Sequence, residues 1–473
     1  MSAVPDQKKT FGLASYLKSK SDPHFDKCLS ILLNEKGRVK PGLIDQDIFL
    51  ALIKRIVLED DIIALAHISR LYANRHCKIV FREIKSALEN IPLVGVRPQQ
   101  CAEGNARNIT LIAGVVDGPH IKMVLAYALA LMSVNEIERV YLVITGEWAW
   151  SIWKKTSVQQ VRSNIEKQIR SLAHQLSKPD YLINCIEHKF FLIISPRSEE
   201  MPQYIGDFIV RFEGPAAFKS TYIFGKSIHE VRPVVTATFS SHILEPTNSD
   251  LVLIRTAPDN DHQAKYIPPS PCGFFLPTVS RKQGLDIFVT VFSGDRIEKG
   301  LASLIDEDWK ALADLLKSST KLQWWLIGAS DPTKARSRLP KQIEKDIGQK
   351  IKILPFSDLT QIYRRAIAFL SFPNAFGGGV AASMAIAHNV PVIVEQNSKS
   401  DISNFVPEPT HVKSFEDGIF RLKSWYEDSN EWKSVLSKQR EYAKERMNMQ
   451  TKGSELFNIL LRSEHIWKNP RRF

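Results

Sequence analysis

Three consecutive glycines, Gly377, Gly378 and Gly379, mark the segment whose backbone is best suited to bind a ligand. The surrounding residues, FPNAFGGGVAASMAIAHNVPVIV from 372 to 394, are typical of a strand end, a turn, a helix and a second strand. Glycines let an anion approach main-chain N–H groups, and a helix beginning near Val380 directs its positive dipole end at that anion. A phosphate or diphosphate fits this site. The alternative is a sharp turn that needs glycine only for close packing.

Two cations follow a separate strand-like run. Arg296 and Lys299 lie in FSGDRIEKG (292–300), where IFVTVF gives way to a loop, and both can reach the same edge of a sheet. Guanidinium and ammonium groups bind phosphates through charge-assisted hydrogen bonds. With the glycine turn they predict a diphosphate clamp, whereas alone they would be interpreted as two solvated charges.

A third group of residues is suited to proton transfer. Asp117 and His120 lie beside Gly114 and Gly118 in GVVDGPHIKMVLAYALAL, after a strand-like run. A neutral imidazole, with a reference pKa of about 6.5, suits a general base near pH 7. The alternatives are a packing role for His120 and a helix N-cap role for Asp117.

The elements that must position these residues alternate between strand and helix. Strand-like runs begin with ITLIAGVV (109–116) and VYLVIT (140–145), with an apolar helix between them, and the same alternation resumes at IFVTVF (287–292). Such succession predicts parallel sheets built from βαβ units. The expected fold class is α/β, with two Rossmann-like domains facing each other across a cleft.

The predicted domains follow from changes in texture along the chain. Residues 1–100 have helical periodicity and predict a small all-α domain, and the Pro- and Gly-rich stretch from 264 to 284 contains the linker. The boundaries are 1–100 for the all-α domain, 101–270 for the first Rossmann-like domain, 271–284 for the linker, 285–450 for the second and 451–473 for a C-terminal helix and basic tail.

Composition excludes several classes of protein. The chain has 473 residues, of which 44% are hydrophobic and 24% charged, as in globular proteins. The first residues lack the apolar core of a signal peptide, and the apolar stretch 123–134 is too short to cross a bilayer. Five dispersed cysteines predict reduced thiols. We therefore expect a cytoplasmic protein.

From about 285 to 410 the chain resembles the donor domain of GT-B glycosyltransferases of the family-4 type. The family's Arg and Lys after the first strand match Arg296 and Lys299, and its "dL..lY..a" segment matches ILPFSDLTQIYRRA. The Gly-rich turn and the NVPVIV strand match as well, and Ser400-Asp401-Ile402 resembles the family's "GDV" turn. The resemblance implies a metal-independent transferase with a nucleotide-sugar co-substrate and no cofactor.

The resemblance assigns roles residue by residue. The donor diphosphate would contact Arg296, Lys299 and the glycine turn, the base would lie near Leu354 and Phe356, and Gly118 and Asp401 would border the donor; His120 or Asp117 would activate the acceptor hydroxyl. The chain departs from many family-4 enzymes where two glutamates are usual, since Phe376 and Met384 stand there. The GGG-turn bacterial subset of the family lacks that pattern too.

Two functions follow from the resemblance. The first is transfer of a hexose from a nucleotide sugar to a protein, lipid-linked or polysaccharide acceptor. The second is a catalytically silent GT-B scaffold or partner subunit, favoured by Phe376 and Met384. A GT-B sugar-nucleotide epimerase is a third hypothesis for the function.

The predicted partners follow from charge and organisation. The net charge of +12 fits peripheral contact with an anionic membrane at its inner face, with a freely soluble enzyme as the alternative. Residues 1–100 are the expected protein-partner module, and no nucleic-acid partner is expected. Asp259-Asn260-Asp261 is interpreted as an ordinary turn, and Trp324 and Trp325 as core.

Overall fold

A computed structural model describes 107–114, 118–144, 157–176, 178–194, 206–213, 232–238, 251–253, 266–267, 286–373, 378–396, 402–403, 406–407, 410–446 and 449–469. The chain divides into two compact units. The first comprises Met1–Ile169, Cys185–Ile267 and Leu456–Phe473, and the second comprises Arg170–Asn184 and Pro268–Glu455. The predicted all-α domain 1–100 and linker 271–284 lie outside the described residues, and the boundaries drawn from the sequence stay predictions.

The first unit is built on a seven-stranded parallel sheet. Its strands are β1 (Arg107–Ala113), β2 (Ile137–Ile144), β3 (Phe190–Ile194), β4 (Phe208–Glu213), β5 (Val234–Thr238), β6 (Leu251–Leu253) and β7 (Tyr266–Ile267). They lie in the order β3-β2-β1-β4-β5-β6-β7, and every pair is parallel. The first six strands have the order of a doubly wound Rossmann sheet. In that order, strands are added outward in one direction from β1 and in the opposite direction from β4.

The described residues between β1 and β3 form three helices: α1 (Gly118–Met132), α2 (Val158–His174) and α3 (Pro179–Lys189). Helix α1 is apolar almost throughout, and from Ile121 onward nearly all its side chains are buried. Its Tyr127 packs edge-on against Phe212 of β4, with ring centroids 5.2 Å apart. A helix apolar on all sides is one that both a sheet and further chain must cover.

The strand at Tyr266–Ile267 lies at the start of the Pro- and Gly-rich stretch 264–284. It pairs with β6 and belongs to the sheet of the first unit, while the predicted linker 271–284 lies outside the described residues. Parallel pairing satisfies the backbone groups of a short segment whatever the residues that follow it.

The second unit contains a six-stranded parallel sheet of the same order. Its strands are β8 (Ile287–Gly294), β9 (Gln323–Ala329), β10 (Ile351–Leu354), β11 (Ala366–Leu370), β12 (Val392–Glu395) and β13 (His411–Val412). The order is β10-β9-β8-β11-β12-β13, so the direction in which strands are added to the sheet reverses between β8 and β11. The apolar runs IFVTVF, WWLIG, IKILPF, AIAFLSF and VPVIVEQ predict the first five of these strands, which are confirmed, whereas no sequence pattern predicts β13.

Nine helices complete the described chain. They are α4 (Arg296–Ala302), α5 (Asp306–Ser318), α6 (Pro332–Arg336), α7 (Lys341–Ile347), α8 (Leu359–Tyr363), α9 (Gly379–Ala387), α10 (Phe415–Glu427), α11 (Ser429–Arg446) and α12 (Met449–Lys468). Helix α5 shows why such segments fold: its buried Trp309, Leu312 and Leu316 recur at spacings of three and four and form one apolar face. The amphipathic pattern of DEDWKALADLLK (306–317) and the helical pattern from Phe415 onward predict such helices, and both predictions are confirmed.

An aromatic cluster fills the core of the second unit. Trp324 is fully buried on β9, and its indole lies between 5.9 and 6.4 Å from the rings of Phe288, Trp309, Phe372 and Phe415. Its Nε1 donates to Thr290 Oγ1 at 3.0 Å, and that hydroxyl donates to the carbonyl of Leu370 at 2.6 Å. Trp324 is thus a core residue, as the sequence indicates, and the relay ties β9, β8 and β11 together at the level where β11 ends.

Candidate functional site

The carboxyl ends of β8 and β11 form the position where this fold binds ligands. In doubly wound sheets a crevice opens outside the strand ends where the strand order reverses, because the helices that follow the two strands lie on opposite faces. In the second unit the reversal falls between β8 and β11. The segment with Arg296 follows β8, and the glycine turn follows β11, so both predicted donor-binding segments reach one edge of one sheet.

Arg296 and Lys299 lie on a helix and not on the loop that the sequence suggests. Arg296 is the first residue of α4, which starts within two residues of the end of β8. Residues three apart on a helix lie on the same side, so the two cations still share a direction. Lys299 Nζ pairs with Asp295 at 2.8 Å, and both side chains are largely exposed. Such a pair contributes about 1 kcal/mol or less, so a phosphate competes with it readily.

Helix α4 packs closely against the end of β11 because one of its residues, Gly300, has no side chain. A Cβ on Gly300 would lie 2.2 Å from Cδ2 of Phe372, the residue two positions beyond β11. Phe372 in turn stacks on Phe292 of β8, with ring centroids 5.9 Å apart. Gly300 therefore lets α4 pack closely against the chain just beyond the end of β11.

Gly378 is required by the backbone and by packing. Its φ of +94° lies in the left-handed region, which glycine adopts without strain. A Cβ there would lie 2.9 Å from Phe292 and 3.0 Å from Ile402. Close packing, the alternative left open by the sequence, thus accounts for this glycine. It also seats the start of α9 directly over the end of β8, with Gly379 buried and Val380 half-buried.

The start of α9 carries neither a side-chain cap nor an acidic residue in its first turn within the described segment 378–396. Neighbouring helices are treated differently: Asp331 caps α6, Asp358 caps α8 and Ser414 caps α10. The first-turn N–H groups of a helix have no partner within that helix and concentrate its positive dipole. The positive end of α9 is therefore not neutralised by its own side chains and suits an anion.

The candidate base contacts lie at the same edge of the sheet, on its outermost strand. Leu354 ends β10 and is half-buried, and Phe356 follows it with 70% of its surface exposed. Two strand spacings, about 10 Å, separate β10 from β8. An exposed phenyl ring at that distance from a diphosphate is placed where a nucleobase could stack on it.

Several predicted site residues lie outside the described parts of the chain. These are Gly377, Asp117, Asp401 and Phe376, together with the turn Asp259-Asn260-Asp261. Gly118 is described as the first residue of α1, and His120 lies in the first turn of that helix. Met384 is described: it is half-buried and packs against the core of the second unit.

The described residues lack two further features. They contain no group of three or more His, Cys, Asp or Glu side chains arranged to hold a metal ion. None of their helices is both long and apolar enough to cross a membrane.

Residues that sequence reasoning missed are those that position the site. Gly300, Phe372 and Tyr363 bind no ligand in the prediction, yet they fix α4 and α9. Tyr363 was visible as the tyrosine of the "dL..lY..a" pattern, but nothing in that pattern says which atom its hydroxyl reaches. The sequence gives no signal for the role of Gly300, because the ring that excludes a Cβ lies 72 residues away along the chain.

Comparison with known proteins gives the fold. No family model matches the chain, and no curated protein matches its sequence. A variant of the Thermobaculum terrenum O-GlcNAc transferase is similar over 99% of both chains, with a TM-score of 0.52 and 12% identity. That likeness shows the class of fold, GT-B, with its two Rossmann-like domains.

Two further solved structures are similar over a smaller share of the chain. Anabaena HepE in complex with UDP and glucose is 12% identical over 75% of this chain and 99% of its own, with a TM-score of 0.46. Staphylococcus aureus MnaA with UDP is 14% identical over 74% of this chain and 95% of its own, with a TM-score of 0.41. The fold assignment rests on the Thermobaculum terrenum protein.

Proposed function

We propose that the chain is a nucleotide-sugar-dependent glycosyltransferase of the hexosyltransferase type. The observation that carries the proposal is the edge where β8 and β11 end, at which the cations of α4 and the start of α9 both lie. The GT-B fold supports it, and the similar Thermobaculum terrenum protein is by name a sugar transferase.

The proposed donor site uses charge and dipole where the diphosphate leaves. Arg296, exposed at the start of α4, binds a phosphate oxygen, and Lys299 exchanges Asp295 for a second one. Main-chain N–H groups of the turn from Gly377 to Val380 bind the same diphosphate. Negative charge develops on the leaving diphosphate during transfer, and fixed positive groups at that point stabilise it without a metal ion.

The remaining roles complete the proposal. Leu354 and Phe356 contact the base, and Asp401 and Gly118 border the donor. His120 or Asp117 accepts the proton of the acceptor hydroxyl. The acceptor is a protein, a lipid-linked glycan or a polysaccharide. We further propose a cytoplasmic enzyme that contacts an anionic membrane peripherally, with a protein partner at residues 1–100.

A second candidate function rests on Met384. Its half-buried thioether packs against the core, at a position where many family-4 enzymes carry a carboxylate. A thioether is a poor partner for a sugar hydroxyl. A GT-B chain that binds a nucleotide but transfers no sugar, acting as a scaffold for an active transferase, is therefore the competing function.

Release of nucleoside diphosphate tests the proposal. The full chain is incubated with UDP-, GDP-, ADP- and TDP-hexoses, with and without EDTA, and the free diphosphate is quantified. We expect release from one nucleotide class, unchanged by EDTA, and a loss of roughly 10-fold or more in Arg296→Ala, since one charge-assisted contact is worth about 1.5–3 kcal/mol.

A matched arginine variant controls for general charge. Arg338 is exposed in the same unit and lies just beyond α6. Arg336 of that helix donates to the carbonyl of Ile351 at the start of β10, the end of the strand away from the proposed donor site. Arg338→Ala should leave release unchanged. Nucleotide binding without release from any sugar nucleotide would contradict the transferase and support the scaffold.

A further inference from the structure

Tyr363 links two segments of the second unit through a single buried hydroxyl. It is the last residue of α8, its side chain is fully buried, and its hydroxyl donates to the carbonyl of Ala381 at 2.7 Å. Ala381 is the third residue of α9. Burial raises the pKa of Tyr363 well above its ordinary value of 10.0, so the phenol stays a neutral donor.

The ring of Tyr363 also contacts the other end of α9. His388, the residue that follows α9, packs on that ring with centroids 5.7 Å apart. The His388 Nδ1 donates to the carbonyl of Met384 at 2.8 Å, which fixes the imidazole against the last turn. One tyrosine thus touches the first turn of α9 through its hydroxyl and the end of α9 through its ring.

Two contacts hold the first turn of α9 in place from different sides. Gly378 holds the start of α9 against Phe292 and Ile402 from one side, and the Tyr363 hydroxyl holds the first turn from another. Because a helix carbonyl already accepts an intrahelical bond, losing the phenol leaves Ala381 with a partner. Removal of the hydroxyl should therefore displace the turn more than it destabilises the unit.

We propose that Tyr363 is a positioning residue that fixes the first turn of α9 for the donor diphosphate. The proposal rests on the proposed function, because the α9 start is the anion-binding element there. Tyr363 acts only through α9: its hydroxyl is bonded to the helix, and its ring is enclosed by the core.

The test compares two tyrosine-to-phenylalanine variants of the full chain. Tyr363→Phe removes the bond to Ala381, and Tyr426→Phe removes the 3.0 Å hydrogen bond between Tyr426 and Ser319, just before β9 at the opposite edge of the same sheet. Dissociation constants for UDP, GDP, ADP and TDP are measured by titration calorimetry, and unfolding midpoints are measured in parallel. We expect Tyr363→Phe to weaken binding of the nucleotide that wild type prefers about three- to tenfold, and Tyr426→Phe to leave it unchanged.

Hydrogen exchange separates the outcomes. Amides of residues 379–385 should exchange faster in Tyr363→Phe than in wild type or in Tyr426→Phe. Wild-type affinity in Tyr363→Phe, or an equal loss in both variants, would overturn the positioning role while leaving the proposed function standing. If wild type binds none of UDP, GDP, ADP and TDP, the proposed function fails and Tyr363 has no diphosphate to position; faster exchange would then show only that the hydroxyl steadies α9.

Discussion

Lys299 and Asp295 form an exposed ion pair beside the end of β8, and such a pair is weak enough for a phosphate to take the place of Asp295. The types of residue in the candidate site could be predicted from the sequence, because cations together with consecutive glycines are typical of a phosphate-binding site. Their partners could not be, since the ion pair and the contact of Gly378 with Phe292 depend on the folded positions of side chains far apart in sequence. At Gly378 the structure favours the packing explanation over a purely ligand-driven one.

His388 predicts a pH dependence of stability. Burial lowers its pKa below the ordinary value of 6.5, although the bond to Met384 opposes this. The unfolded chain therefore takes up the proton first as pH falls, so stability present above about pH 6.5 is lost as pH falls from there toward the lowered pKa. Thermal midpoints between pH 7.5 and 5.5 should fall more steeply for wild type than for His388→Gln, which keeps an N–H donor. Parallel curves for the two proteins would refute this.

At the scale of elements, the alternation of apolar runs predicted nearly every strand of the second unit, because buried parallel strands are continuous apolar runs. The exceptions are instructive. Helix α4 was missed because DRIEKGLA is short and charged, and its helical state comes from packing against Phe372. Strand β13 has two residues and gains its state from pairing with β12.

Helix α4 gives the prediction at this scale. Gly300→Ala should destabilise the unit by about 2 kcal/mol, despite the better helix propensity of alanine, because the new Cβ meets the core ring of Phe372. The expected fall in the thermal midpoint is roughly 4–8 °C. It should also weaken nucleotide binding, since the displaced helix carries Arg296.

Gly348→Ala is the matched control for Gly300→Ala. Its Cβ would lie 2.8 Å from the carboxylate of Glu344, the flexible end of a side chain that is 42% exposed. That carboxylate accepts two hydrogen bonds from Arg336, but both side chains are partly exposed and can move together, so the loss of stability should stay below about 1 kcal/mol. Similar losses in both variants would show that Gly300 has no special contact.

At the scale of the whole molecule, the described residues form two parallel sheets whose strands follow the same Rossmann order. That duplication was predictable from the return of the strand–helix alternation after the Pro- and Gly-rich stretch. The order of the strands was not, because periodicity records burial and not neighbours. The reversal between β8 and β11 is what turns two segments 80 residues apart into one candidate site.

Binding of nucleoside diphosphates tests the central claim, that this edge holds the donor diphosphate. Thermal unfolding of wild type and Arg296→Ala is measured with UDP, GDP, ADP and TDP. A ligand at about ten times its dissociation constant adds roughly 1.4 kcal/mol, a shift of about 3–6 °C. We predict a shift with one base that is abolished in Arg296→Ala. No shift with any diphosphate, or an equal shift in the variant at the same ligand concentration, would contradict the account.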